Sequence, residues 1–121
     1  MTVRERGQST VEFALVLPLV AVLALAIAQV ALVSRERVLV THAARVGARS
    51  ASVGAGDADV RRDVLAAVDL DPARVTVDVS RSADQVEVVV RYRSATDLPL
   101  VGALLDDVEL LGRARMPREP P

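Results

Sequence analysis

The sequence predicts an α+β fold in which a long N-terminal helix, kinked at a proline, precedes a short helix and a small antiparallel β-sheet. Three observations support this prediction. An uncharged stretch long enough to cross a membrane occupies Phe13–Ser34. A shorter run, Ala58–Val68, has its apolar residues at helical spacing. Two valine-rich runs further along alternate between apolar and polar residues, as half-buried strands do.

Length and composition limit what the chain can be. Its 121 residues allow one membrane segment and one small domain. The net charge of −1 gives no bulk electrostatic reason to bind nucleic acid. The absence of cysteine excludes a disulfide scaffold and a thiol nucleophile. With a single histidine, any metal site would consist mainly of carboxylates.

The apolar stretch has the length of a transmembrane helix. Phe13–Val33 would span about 31 Å at 1.5 Å per residue, close to the hydrocarbon thickness of about 30 Å. Gln29 is its only interior polar residue. Pro18 cannot donate a hydrogen bond to the carbonyl of Ala14, so we expect a kink or a local opening of the helix there.

A conventional signal peptide is an alternative interpretation of the same stretch. Arg4 and Arg6 form a basic start, and Ala26-Ile27-Ala28 resembles a cleavage site of the A-x-A type. The apolar run before that site is longer than the roughly 7–15 residues usual in signal peptides.

Charge counting also leaves the orientation open. The larger group of arginines follows the apolar stretch, which would place the C-terminal part in the cytoplasm: Arg35, Arg37, Arg45 and Arg49.

The first helix is expected to continue beyond the membrane to about Ser50. Its apolar stripe is predicted at Leu32, Leu39, Ala43 and Val46. A basic row beside the stripe would either face solvent or contact lipid headgroups or acidic partner side chains: Arg35, His42, Arg45 and Arg49.

The remaining elements are short. Ser50–Gly56 reads as a linker, and Asp57 could cap the second helix, whose inward side chains would be Val60, Val64, Leu65 and Val68. Pro72 ends the helical region. The predicted strands contain Val75–Val79 and Val86–Tyr92, joined by a five-residue loop, Arg81–Gln85. Then come a short helix or turn at Leu98–Leu105, a third strand at Val108–Met116, and a proline-rich tail outside the sheet, Pro117–Pro121.

The run Gly7-Gln8-Ser9-Thr10-Val11-Glu12-Phe13 carries the most specific signal. A carboxylate at the edge of a membrane segment is costly and usually functional. Glu12 is the fifth residue after Gly7, and Phe13 follows it. This spacing resembles the processing site of type IV prepilins, and especially that of the TadE-like pseudopilins, minor pilins of tight-adherence (Flp-type) systems. Glu12–Pro18 is similar to the E-F-A-L-x-x-P start of that family, and Ala43–Arg49 resembles the second half of its helices.

The resemblance implies a pilin-like fold and a structural role. A prepilin peptidase would cut after Gly7, and Glu12 would pair with the new amine of Gln8 on a neighbouring subunit. The parts would be a leader (1–7), a transmembrane helix with its extension (8–50) and a small extracytoplasmic α/β domain with a proline-rich tail (51–121). The implied partners are other pilins and pseudopilins, the prepilin peptidase and the pilus assembly platform of the inner membrane. This orientation is opposite to the one from charge counting.

No catalytic constellation is recognisable. The sequence has no G-x-S-x-G motif and no Gly-rich phosphate loop, so we expect a protein that is not an enzyme and needs no cofactor. Asp106, Asp107 and Glu109 could hold a cation, although a short acidic cluster is more often solvated. Two other functional classes stay open. One is an uncut membrane adaptor of a secretion complex, and the other is a secreted binding domain released after Ala28.

Overall fold

The computed structural model describes residues 3–94 and 108–120 and confirms the α+β architecture. The three strands form one antiparallel sheet in the order β1-β2-β3. The predicted turn or helix at Leu98–Leu105 lies outside the described residues. The elements in chain order are α1 (Val3–Ser52), α2 (Asp57–Ala67), a short 3-10 helix (Pro72–Arg74), β1 (Val75–Arg81), β2 (Gln85–Ser94) and β3 (Val108–Pro117).

Helix α1 is 50 residues long and continues through Pro18, so the proline does not end it. The kink itself stays a prediction. The first half of α1 is exposed, whereas the second half carries the globular part. The predicted apolar stripe is partly wrong, because Leu32 is 48% exposed. The buried face of α1 consists mainly of smaller residues: Val40, Ala43, Ala44, Ala48 and Ala51. Small side chains allow the sheet and α2 to approach the helix backbone closely.

The sheet presents one face to α1 and the other to solvent. The inward side chains of β2 are Val86, Val88, Val90, Tyr92 and Ser94, all of them buried. They alternate with outward ones such as Glu87 and Arg91, as the period of two requires. Leu110 of β3 and Val75 of β1 complete this buried face. The predicted alternation of β1 and β2 is therefore confirmed.

Helix α2 covers the end of the core with Val60 and Val64, which are fully buried. Its start differs from the prediction. Gly56 is the N-cap residue, and Asp57 is the first residue of the helix. The carboxylate of Asp57 does not cap the helix, because it pairs with the guanidinium of Arg81, which also donates to the carbonyl of Ala55 at 2.8 Å. One arginine on β1 thereby holds the start of α2 against the sheet.

Two details at the ends of strands were predicted wrongly. The β1–β2 loop has three residues, Ser82–Asp84, because Arg81 and Gln85 belong to the strands; the backbone N–H of Ser82 donates to the carbonyl of Gln85 at 2.8 Å. Pro117 is the last residue of β3 and lies opposite Gln85. A proline is tolerated there because β3 is an edge strand. The third strand itself is confirmed.

Candidate functional site

The proposed cleavage point lies near the start of α1. Gly7 is exposed, and a Cβ atom placed on it would meet no atom within 4 Å. Glycine inside a helix costs roughly 1 kcal/mol relative to alanine. The Gly7–Gln8 peptide bond is therefore accessible, and glycine makes this turn of the helix less stable than alanine would.

Hydroxyl groups just after this bond connect it to the leader. Ser9 Oγ donates to the carbonyl of Glu5 at 3.2 Å, and Thr10 Oγ1 donates to that of Arg6 at 3.0 Å. Such bonds from a side chain to the carbonyl one turn earlier compete with regular helix geometry. Removal of residues 1–7 would take away both acceptors. The two hydroxyls would then be free to bind other groups.

The structure brings Gln8 and Glu12 together on one side of the helix. Gln8 Nε2 donates to Glu12 Oε1 at 3.3 Å, one turn apart and exposed. A side-chain pair of this kind stabilises an isolated helix by about 0.2–0.5 kcal/mol. This weak contact leaves the Glu12 carboxylate available to a stronger partner. A positively charged amine at the apolar boundary would be such a partner.

Phe13 begins a long exposed apolar surface. Phe13 is 68% exposed, and Pro18 also lies on the surface. Among the described residues, α1 is the one helix long and apolar enough to cross a membrane, and its most apolar part is almost entirely uncovered by the rest of the chain. Large exposed apolar surfaces mark contact with lipid or with other proteins. The large apolar side chains exposed here are Val11, Phe13, Leu15, Val16, Leu17, Leu19, Val20, Val22, Leu23, Ile27, Val30 and Leu32.

Gln29 is the exception within this surface. It is 8% exposed, and its Oε1 accepts no hydrogen bond from the described residues. It lines an apolar groove with Val30, Val33 and Val108. Polar side chains in membrane segments commonly bond to neighbouring helices.

Part of this region is similar to a known protein family. Residues 7–49 match the TadE-like protein family. This TadE-like segment covers 43 of the 121 residues and contains Gly7, Gln8, Glu12, Phe13 and Pro18. The resemblance found in the sequence is thereby confirmed. Together with the apolar half of α1, the match indicates a membrane protein related to tight-adherence pili. No curated protein and no solved structure matches the chain.

The TadE-like segment ends within the packed half of α1, so it includes part of the contact with the sheet. Gly47 shows how close this contact is. A Cβ atom on Gly47 would lie 2.8 Å from a methyl of Val64 and 2.9 Å from one of Val88. Gly47 was predicted to lie in the helix, but no role was predicted for it. Gly47 lies four residues after Ala43 and therefore on the face of small residues, and this position could have indicated a close contact.

A second contact missed from the sequence joins Glu36 of α1 to Ser94 of β2. The buried hydroxyl of Ser94 donates to the carboxylate of Glu36. Periodicity in the sequence could have indicated this contact. Ser94 continues the inward-facing series of β2, and Glu36 lies one helical turn before the buried Val40. Burial, together with the nearby Glu36 charge, raises the pKa of Tyr92 above its ordinary value of 10.0.

The carboxylates and the histidine do not assemble into a metal site in the part of the chain that the structure describes. Glu109 lies on β3 opposite Arg93. Asp106 and Asp107, which the sequence analysis grouped with Glu109, lie outside the described residues. His42 belongs to the exposed face of α1.

Proposed function

We propose that the chain is a minor pseudopilin, a structural component in the assembly of a tight-adherence (Flp-type) pilus. The observation that carries the proposal is the match of residues 7–49 to the TadE-like family. The geometry supports it, because the Gly7–Gln8 bond, the exposed Glu12 carboxylate and the uncovered apolar half of α1 follow one another on a single helix.

The mechanism is one of packing. A prepilin peptidase cuts after Gly7 and creates an amine on Gln8. Two opposite charges at the edge of the hydrocarbon each lose hydration, and pairing them offsets much of that cost. Glu12 of one subunit would therefore pair with the Gln8 amine of another and fix their axial register. The exposed apolar half of α1 packs against the helices of other pilins, and the domain beyond Ser50 supplies lateral contacts.

This function requires a particular location. The protein is a single-pass component of the inner membrane with its globular part outside the cytoplasm, and it works with the prepilin peptidase, the assembly platform and other pilins. We further propose that it is not an enzyme and uses no cofactor or nucleic acid. The length of its globular part favours a minor subunit over a bare-helix major pilin.

The test is the mature N-terminus of the protein from its native membrane. Intact mass and N-terminal sequencing should give a chain that starts at Gln8, with 121 − 7 = 114 residues. Gly7→Val should abolish the cut, because a branched side chain would crowd the peptidase. Gly56→Val is the matched control, since a Cβ atom at Gly56 also meets no atom within 4 Å. That variant should be cut normally.

Other starting points would support the alternative functions. A chain that still begins at Met1 would indicate an uncut membrane adaptor. A chain that begins at Gln29 in the culture medium would indicate a secreted domain. Either result would contradict the pseudopilin proposal.

A further inference from the structure

The second half of α1 presents a basic face on the side away from its domain. At 100° per residue, Arg35, His42, Arg45 and Arg49 lie within an arc of about 80°. The buried face of α1, centred on Val40 and Gly47, lies on the opposite side. All four basic residues are exposed. This set, Arg35, His42, Arg45 and Arg49, is called the basic face below.

The arginines of the basic face differ from those of the domain. Within residues 3–94 and 108–120, Arg35, Arg45 and Arg49 form no ion pair and no side-chain hydrogen bond. Most domain arginines are bonded: Arg61, Arg62, Arg74, Arg81, Arg91, Arg113 and Arg115. The residues one turn before and after each arginine of the basic face include no carboxylate. Within the described part of the chain, no carboxylate compensates the arginines of this face.

Their distance from the bilayer argues against lipid as the partner. If Val33 ends the membrane segment, Arg45 and Arg49 stand about 18 and 24 Å further along the helix axis. The headgroup region adds only about 5–8 Å per leaflet. An arginine side chain cannot cover the remaining distance. Of the arginines of the basic face, Arg35 alone is close enough to reach a headgroup.

Apolar side chains lie among these cations. Val38 is 69% exposed between Arg35 and His42, and a shallow groove runs past Val38, His42 and Arg45. Exposed apolar groups mixed with arginine are typical of protein interfaces. A second copy of the same face is a poor partner, since arginine would meet arginine, and like charges at an interface are strongly unfavourable.

We propose that the basic face is a docking surface for the acidic face of a different protein and that it disfavours pairing with a second copy. The proposal needs α1 to be a membrane-anchored helix but does not need cleavage after Gly7. It can therefore fail while the pseudopilin function stands, and the reverse also holds.

The test uses an acidic partner of matched shape, the full chain with Arg35→Glu, Arg45→Glu and Arg49→Glu. The chain has no cysteine, so Ser82→Cys in the exposed β1–β2 loop places one dye on each molecule. Energy transfer between donor-labelled wild type and the acceptor-labelled variant is measured in neutral detergent micelles. The control acceptor carries Arg62→Glu, Arg91→Glu and Arg113→Glu, the same charge change on other surfaces.

Wild type should bind the charge-reversed variant at least about tenfold more tightly than it binds wild type or the control, and salt should weaken the binding. A donor chain with Arg35→Gln, Arg45→Gln and Arg49→Gln should lose this preference. Equal transfer for all acceptors, or none above background, would overturn the proposal. Tyr92 fluorescence verifies that each variant is folded.

A second measurement addresses lipid directly. Val53→Cys carries a dye just beyond Arg49, at a site 63% exposed. Quenching of this dye by iodide should be the same in neutral phosphatidylcholine vesicles and in vesicles rich in phosphatidylglycerol, after correction with the Ser82→Cys dye. Selective protection of the Val53→Cys dye in the anionic vesicles would show that the face lies on lipid and would overturn the proposal.

Discussion

Gly112 of β3 packs directly on the backbone of Val40 in α1. A Cβ atom built on Gly112 would lie 2.5 Å from the carbonyl oxygen of Val40 and 2.8 Å from its carbonyl carbon. Gly112 is also the register partner of Val90, which is fully buried in the middle of β2. The missing side chain therefore sets the distance between helix and sheet at the centre of the core.

Gly112→Ala should destabilise the globular part by about 1–3 kcal/mol, because the contact is with backbone that cannot rotate away. The measurement is denaturant unfolding of the full chain in detergent, followed by the fluorescence of Tyr92, its single tyrosine. Gly56→Ala is the control, since a Cβ atom there meets open space. Equal stability of the two variants would contradict the close contact.

Leu110 and Leu111 test which face of β3 is buried. Leu110 is 2% exposed and Leu111 is 52% exposed. Leu110→Ala should cost about 2–5 kcal/mol, because it removes packed methyl groups and leaves a cavity. Leu111→Ala should cost less than about 0.5 kcal/mol, as is usual for surface changes. The same unfolding assay compares them. A similar loss in both variants would mean that β3 is paired in another register.

The third prediction concerns the ionisation of Tyr92. Its pKa is raised above 10.0 by burial and by the Glu36 carboxylate, so the neutral form is favoured in the folded chain. The folded state retains this proton longer than the unfolded state does. Stability should therefore fall as the pH rises above about 10.

Absorbance titration of the tyrosinate measures this pKa. Glu36→Gln should lower it, because a negative neighbour is lost, although burial will keep it above 10.0. Glu87→Gln, which removes a carboxylate from the outer face of β2, should leave it unchanged. A pKa that does not respond to Glu36→Gln would show that the carboxylate is too far from the phenol to matter.

The fourth prediction separates cleavage from assembly. Glu12→Gln should leave the mature N-terminus at Gln8 and should prevent co-purification with other pilins, because an unpaired buried charge costs about 3–5 kcal/mol. Glu5→Gln makes the same change inside the leader, which the peptidase removes, so it should assemble normally. Normal assembly of the Glu12→Gln chain would assign the carboxylate no role in packing.

The sequence predicts the order and type of the described elements well, because each leaves a local pattern. The valines of β2 alternate strictly, and the apolar run after Glu12 is too long for a core helix. The family motif is local as well, since Gly7, Glu12 and Phe13 lie within one short run. These features need no knowledge of the rest of the fold.

Features that depend on contacts between distant residues were predicted poorly. The apolar face of α1 was predicted at Leu32, Leu39, Ala43 and Val46, because apolar residues at helical spacing are the usual sign of burial. Ala43 is buried and Leu39 packs against the core, but Leu32 is exposed. The true face is made of small residues, which are informative only when the close sheet is known. Asp57 was predicted to cap α2, because aspartate before a helical run usually does so. Its actual partner, Arg81, lies 24 positions away in the sequence, so no local pattern indicates the pair.

The continuity of α1 from Val3 to Ser52 has a mechanical consequence. Traction on its membrane end travels along a single helix axis, and the strands lie beside that axis instead of in series with it. The sheet meets such a force as shear across its packed contact with α1. A chain built in this way can transmit tension while its globular part stays folded.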